Sequence, residues 1–317
     1  MLFITFVIFT HTRVVCFGKN FSNLILQFIL YINKNLFDKN LIIDFIFLMK
    51  QIFLLIISLF FTLSCYAKKI SIDVHSASMN KNLPIHVITP DSYDTDTNKL
   101  YPCVYLLHGY GGSRNTWPYV KKDLQEISSK YNFVFVMPDV GKSWYIDSKV
   151  LPNSNFETYV TKELVEYIDK NFRVIKDRTG RGIAGISMGG HGAISLAFKH
   201  PETYGACAST SGALNIVDLV HTKFLKDVIA KGDVEEFKKH SALYLADKVE
   251  AGKLKIHIDC GSEDFLFKQN KAIHKKLLAR KIPHNYFVFP GAHKVPYWKN
   301  SINYIMIFFD QYFKEKK

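Results

Sequence analysis

The chain has 317 residues, of which 48% are hydrophobic and 22% charged. That composition excludes a disordered, fibrous or collagen-like polymer and points to a folded globular protein. The formal net charge of +13 comes from lysines scattered along the sequence. With no nucleic-acid-binding motif beside them, they describe a solvated basic surface, with weak attraction to anionic polymers or membrane surfaces as its only implication for partners.

The chain opens with residues 1–48, rich in Phe, Ile, Leu and Asn and without an amphipathic period. They end just before a second start at Met49, so they read as an upstream extension, with a true extra apolar segment as the alternative. Residues 49–67 have the three parts of a secretory signal peptide: Met49-Lys50-Gln51, an apolar run over 52–63, and Ser64-Cys65-Tyr66-Ala67. The run is shorter than the about 20 residues a membrane span needs. Cleavage is expected after Ala67, giving an exported protein, periplasmic or extracellular, with no stable membrane span. An uncleaved anchor and a lipid-modified Cys65 are the alternatives; Thr62 disfavours the second. Residues 68–317 remain as one domain of the usual α/β size.

In that part, strand-like and helical runs alternate. Residues 69–75 and 84–88 alternate apolar and polar side chains, as an opening antiparallel pair does. Residues 101–107 form a continuous apolar run of the buried parallel type. A helix is expected over 119–131 with Pro118 in its first turn, then a strand over 133–137 and a helix over 157–171. Strand 180–186, helix 191–199 and strand 206–209 follow. Residues 215–250 are helical and charged and stand outside the repeat, as an insertion near the site or a packed flap. Strand 254–259, helix 267–280, strand 286–289 and helix 301–313 close the chain. This order predicts a mostly parallel sheet with helices on both faces. Cys103, Cys207 and Cys260 lie in apolar runs and read as buried free thiols, with a Cys207–Cys260 bridge left open.

The strongest chemical signal is Gly185-Ile186-Ser187-Met188-Gly189-Gly190 between a strand and a helix. This is the nucleophile-elbow context, in which Ser187 stands above a helix N-terminus. An ordinary glycine-rich turn with a capping serine is the bland alternative. Leu107-His108-Gly109-Tyr110-Gly111-Gly112 follows the 101–107 strand. A serine hydrolase needs donors for a tetrahedral oxyanion, and the backbone N–H groups of Met188 and Tyr110 are the candidates. His108 reads as a buried structural histidine. The general base and its orienting acid must follow the serine in order, each after a strand. His293 follows strand 286–289, and Asp264 follows strand 254–259. Asp259 and Glu263 are rival acids. His191, His257 and His284 read as structural or surface residues. Trp144 and Tyr145 either line an acyl or sugar pocket or pack in the core.

Tyr101–Gly112, Gly185–Ala193 and Asp259–Leu266 together resemble the esterase D family of α/β-hydrolases. That family includes S-formylglutathione hydrolases, tributyrin, feruloyl-type and enterochelin esterases, and the mycolyltransferases of the antigen 85 group. The resemblance covers residues 70–313. It implies an α/β-hydrolase fold and a cofactor-free serine carboxylesterase acting through an acyl-serine. The substrate would be a short acyl or feruloyl-type ester of a carbohydrate or small molecule. An acyltransferase and a weakened binding module are the alternative functions. One segment departs from the family pattern. Gly291-Ala292-His293-Lys294-Val295-Pro296-Tyr297-Trp298 keeps the histidine and the Tyr-Trp pair, with Trp298 a further pocket candidate, but Ala292, Val295 and Pro296 are unusual. Pro296 is expected to hold Val295 extended and so to tilt His293.

Overall fold

The computed structural model describes residues 47–53, 68–222, 225, 228–229 and 233–315. The chain divides into two units, Met1–Ser64 and Cys65–Lys317. Of the first, the described residues 47–53 form a stretch of helix with exposed side chains. The expected cleavage point after Ala67, and most of the expected leader, lie outside the described residues. No helix among the described residues is long and apolar enough to cross a membrane.

The second unit is built on eight strands: β1 (Lys68–Ser76), β2 (Lys81–Thr89), β3 (Cys103–Leu107), β4 (Val134–Pro138), β5 (Arg181–Ile186), β6 (Ala206–Thr210), β7 (Lys255–Gly261) and β8 (Asn285–Phe289). They lie in one sheet in the order β1-β2-β4-β3-β5-β6-β7-β8. The β1–β2 and β2–β4 pairs are antiparallel; every later pair is parallel. The main helices are α1 (Leu124–Tyr131), α2 (Leu164–Asn171), α3 (Met188–Lys199), α4 (Phe267–Ala279) and α5 (Val295–Glu315). This is the α/β-hydrolase architecture that the sequence predicts.

The alternation of side chains explains the two cores. β3 sends Cys103, Tyr105 and Leu107 to one layer and Val104 and Leu106 to the other, so each of its positions is buried. The first layer holds Leu164 and Ile168 of α2, Ile194 and Leu196 of α3, and Ile273 and Leu277 of α4. The second holds Leu124 and Ile127 of α1 and the apolar stripe of α5 from Ile302 to Phe313. Burying one such aliphatic side chain stabilises the fold by about 1.5–3 kcal/mol. Cys103, Cys207 and Cys260 are buried free thiols.

Three local expectations change. The helix expected over 119–131 is two pieces, Thr116–Val120 and α1. Lys121 is extended at φ −133° and ψ 93°, and the Trp117 indole donates to the Leu107 carbonyl at 3.0 Å, which ties the first piece to β3. The helix expected over 157–171 contains a π turn at Tyr159–Glu163. There the Thr161 hydroxyl donates to the Glu157 carbonyl at 2.7 Å, competing with the backbone ladder. The closing helix begins at Val295, six residues before the expected 301.

Candidate active site

Ser187 is the turn residue between β5 and α3, with φ 57° and ψ −113°. A residue with a Cβ reaches this region only when its surroundings enforce it. Here the Ser187 N–H donates to the Thr210 carbonyl at 3.1 Å, and its carbonyl accepts from the N–H groups of His191 at 3.0 Å and Ala213 at 3.2 Å. The flanking glycines are steric requirements. A Cβ on Gly185 would fall 2.1 Å from the Gly189 carbonyl, and one on Gly189 would fall 2.4 Å from the Leu107 oxygen. Met188 opens α3 with its N–H at the helix N-terminus, where the backbone dipoles favour negative charge. The loop after β3 turns tightly against it: the Gly112 N–H bonds the Gly109 carbonyl at 3.0 Å, with Gly111 at φ 73°. This packs Gly109 against Ser187 and brings Tyr110 into the same pocket.

The structure brings Ser187, His293 and Asp264 into one hydrogen-bonded line. His293 Nε2 lies 3.0 Å from Ser187 Oγ, and its Nδ1 lies 2.9 Å and 3.1 Å from the two Asp264 oxygens. Because the carboxylate only accepts, Nδ1–H donates to it, and the Ser187 hydroxyl donates to Nε2. Burial alone would raise the Asp264 pKa, but bonds from His293 and from the Leu266 N–H outweigh it and hold the carboxyl below its ordinary value. Trp298 stands edge-on to His293 at 5.1 Å, and the Phe265 ring lies 4.6 Å from it on another side.

The unusual segment after the base does not displace it. Val295 is the first residue of α5 and not extended, and Pro296 occupies the first helical turn, where a missing N–H leaves no bond unmade. The expected tilt of His293 is therefore corrected by an earlier helix start.

Asp259, the first rival acid, faces elsewhere. It accepts from Thr210 Oγ1 at 2.7 Å, Tyr297 OH at 3.0 Å, Ser301 Oγ at 2.7 Å and the His257 ring at 3.2 Å. It thus joins β6, β7 and α5 beneath the site. Tyr297 packs against Gly291, at the base of the loop that carries His293. Glu263, the second rival, is exposed. His108 donates through Nδ1 to the Gly109 carbonyl at 2.8 Å and accepts the Val140 N–H through Nε2 at 3.1 Å, which fixes it as a neutral buried residue. Burial lowers its pKa.

A pocket of about 350 Å³ opens over Ser187 and is lined by Tyr110, Trp144, Leu219, Phe265, Leu266 and Trp298 among others. Of the pocket candidates, Trp144 and Trp298 line it, Trp144 while also packing in the core. Tyr145 does not. It is buried against Gly192 of α3, where a Cβ would meet its ring at 2.5 Å, and its hydroxyl donates to the His108 carbonyl at 2.9 Å. Sequence reasoning missed Phe265 and Leu219. Phe265 could have been found as the neighbour of Asp264; nothing marks Leu219 within 215–250. Among the described residues no cluster of three or more metal-binding side chains occurs.

The chain is 32% identical over 145 residues to an esterase of Mycobacterium tuberculosis, covering 44% of this chain and 31% of that one. It therefore spans about a third of the length of that relative. It is 28% identical over 252 residues to an acetyl esterase of Caldicellulosiruptor saccharolyticus, covering 73% of this chain and 94% of the other. The substrate-bound fluorophosphonate-binding serine hydrolase F of Staphylococcus aureus shares the fold, with a TM-score of 0.70 at 24% identity over 77% of this chain and 99% of that one. The model of the Esterase family, described as "Putative esterase", matches residues 76–309, so the chain belongs to that family.

Proposed function

We propose that this protein is a serine carboxylesterase that cleaves a short acyl or feruloyl-type ester of a carbohydrate or small molecule. The observation that carries the reading is the continuous line Ser187–His293–Asp264, with its middle contacts at 3.0 Å and 2.9 Å. The neutral imidazole takes the Ser187 proton as Oγ attacks the ester carbonyl carbon. The tetrahedral oxyanion is met by the N–H groups of Tyr110 and Met188. Collapse breaks the bond to the alcohol oxygen, which receives the proton from His293. Water, deprotonated by the same imidazole, then attacks the acyl carbonyl; the bond to Ser187 Oγ breaks, Oγ takes the proton back from His293, and the acid leaves. Asp264 keeps Nδ1 protonated and stabilises the imidazolium. The apolar walls Trp144, Leu219 and Trp298 suit the acyl group, in keeping with the acetyl esterase among the relatives. We assign residues 49–67 as an export leader, residues 1–48 as an extension preceding it, and residues 68–317 as the esterase domain.

The test is Ser187→Ala. Folding should be retained, and hydrolysis of 4-nitrophenyl acetate should fall by about four to six orders of magnitude, because the triad acts as a unit. A fluorophosphonate probe should label the parent and not the variant. Near-parent turnover by the variant, with contaminating esterase excluded, puts the nucleophile elsewhere.

A further inference from the structure

We propose that Tyr297 is a positioning residue for the reaction: its hydroxyl is anchored to the buried Asp259 carboxyl and its ring holds the loop that carries His293, so that Tyr297 sets how the base meets Ser187 and Asp264. The proposal rests on the hydrolytic reading above and deepens it. Tyr297 is not among the residues that line the Ser187 pocket, and it acts through the backbone of the loop.

The ring meets the loop at Gly291, two residues before His293. Gly291 has φ 140°, in the region that favours glycine, and a Cβ there would fall 2.9 Å from Tyr297 Cδ2. From the other side Gly261, the last residue of β7, comes so close that a Cβ on it would collide with the Gly291 carbonyl. Gly291 is thus held between β7 and the Tyr297 ring. The same carbonyl accepts the Glu263 N–H at 2.9 Å, and Glu263 precedes Asp264. A shift of the ring would therefore move Gly291, and with it the segments that carry both the base and its orienting acid.

The hydroxyl fixes the ring. Tyr297 stands in the first turn of α5, buried, and donates to Asp259 Oδ1 at 3.0 Å. Thr210 Oγ1 donates to the same oxygen at 2.7 Å, and Ser301 Oγ to the other at 2.7 Å. A fully buried carboxyl that loses a donor has no water to replace it, so these bonds hold their geometry. Thr210 completes the frame, because its carbonyl accepts the Ser187 N–H at 3.1 Å. One chain of bonds and contacts thus runs from the Ser187 backbone through Thr210, Asp259 and Tyr297 to Gly291 and the His293 loop. It fixes the base relative to the nucleophile, where a misplacement of about 1 Å costs about a hundredfold in rate. A phenylalanine would fill the same space under Gly291, so packing alone does not account for the hydroxyl.

The experiment compares Tyr297→Phe, which keeps the ring and removes the anchor, with Ser301→Ala, which takes a donor from the same carboxyl and leaves Tyr297 in place. Each is assayed on 4-nitrophenyl acetate and with a fluorophosphonate probe, whose endpoint counts competent serines and whose rate reads how well Ser187 is activated. Because one imidazole serves both acylation and deacylation, Tyr297→Phe should lower kcat about tenfold and leave KM close to the parent's. The labelling rate should fall in step, with an unchanged endpoint, and Ser301→Ala should keep the parent's kcat and labelling rate. Parent values of both in Tyr297→Phe overturn the positioning role and leave the triad standing. A loss confined to the endpoint, or one of equal size in Ser301→Ala, also overturns it, because folding and not alignment then depends on the cluster. A parent enzyme that neither labels nor turns over any ester overturns the hydrolytic reading, and the positioning role with it.

Discussion

At Ser187 the backbone is held in a conformation that costs on the order of 1–3 kcal/mol for a residue with a Cβ. The sequence announced this turn through Gly185 and Gly189, because no other side chain fits there. It did not announce the fate of Trp144 and Tyr145. Both adopt positive φ, 57° and 61°, so the turn sends one ring to the pocket and its neighbour into the core. Two adjacent aromatics give no sign of such a turn. His191, one helical turn after Ser187, is another residue whose burden shows only in three dimensions. It is fully buried, and among the described residues neither ring nitrogen has a hydrogen-bond partner. Burial, helped by the nearby His240 and Lys199, lowers its pKa from 6.5 to about 3. The unfolded chain therefore binds a proton that the folded one refuses. Stability should fall as pH drops below 6.5, by up to about 1.4 kcal/mol per pH unit, until the folded-state value is reached. His191→Leu removes that penalty. Thermal melts should show the two proteins close at pH 7 and the variant increasingly ahead toward pH 4. An unchanged gap across that range would show that His191 does not resist protonation.

Among the elements, the parallel strands were the most legible, since burial on both faces writes a continuous apolar run. β7 was legible in place but not in environment. The alternation of Ile256 and Ile258 with His257 and Asp259 reads as one wet face, yet both polar residues are buried and bonded within the α5 layer. Helix boundaries were the least legible. Whether α5 starts at Val295 or at Ser301 depends on tertiary contacts such as that between Tyr297 and Asp259. Charge also fastens elements that the sequence could not pair. Glu157, just before the π turn, accepts from Lys199 Nζ at 2.6 Å and from His200 Nε2 at 2.9 Å, at the end of α3. Burial by itself would raise the Glu157 pKa, but these two bonds bring it down to about 2. A depressed carboxylate contributes stability above its unfolded pKa of about 4.5 and loses it as pH falls toward 2. Glu157→Gln should lower Tm at pH 6 by roughly 2–8 °C, equivalent to about 1–2 kcal/mol. The difference should close as pH approaches 2. A gap that stays constant into acid would mean that packing, not charge, fastens the two helices.

For the whole molecule, motif order was enough to predict the family and fold, and the sheet order shows why the distant motifs meet. Ser187, Asp264 and His293 follow β5, β7 and β8, and Tyr110 follows β3, all at the carboxyl ends of the parallel strands of one mixed sheet. The export leader proposed at residues 49–67 has a direct test. N-terminal sequencing of protein recovered from the producing organism should therefore begin at Lys68 or close to it. Protein beginning at Met1 and found only in the cytosol would refute the leader. The position of β8 has a further consequence. It is the last strand of the chain and the edge of the sheet, and His293 lies beyond it. During synthesis from the N-terminus, the elbow serine can be in place before its base has left the ribosome. A chain clipped before β8 would thus carry the elbow serine without His293, the base proposed for it.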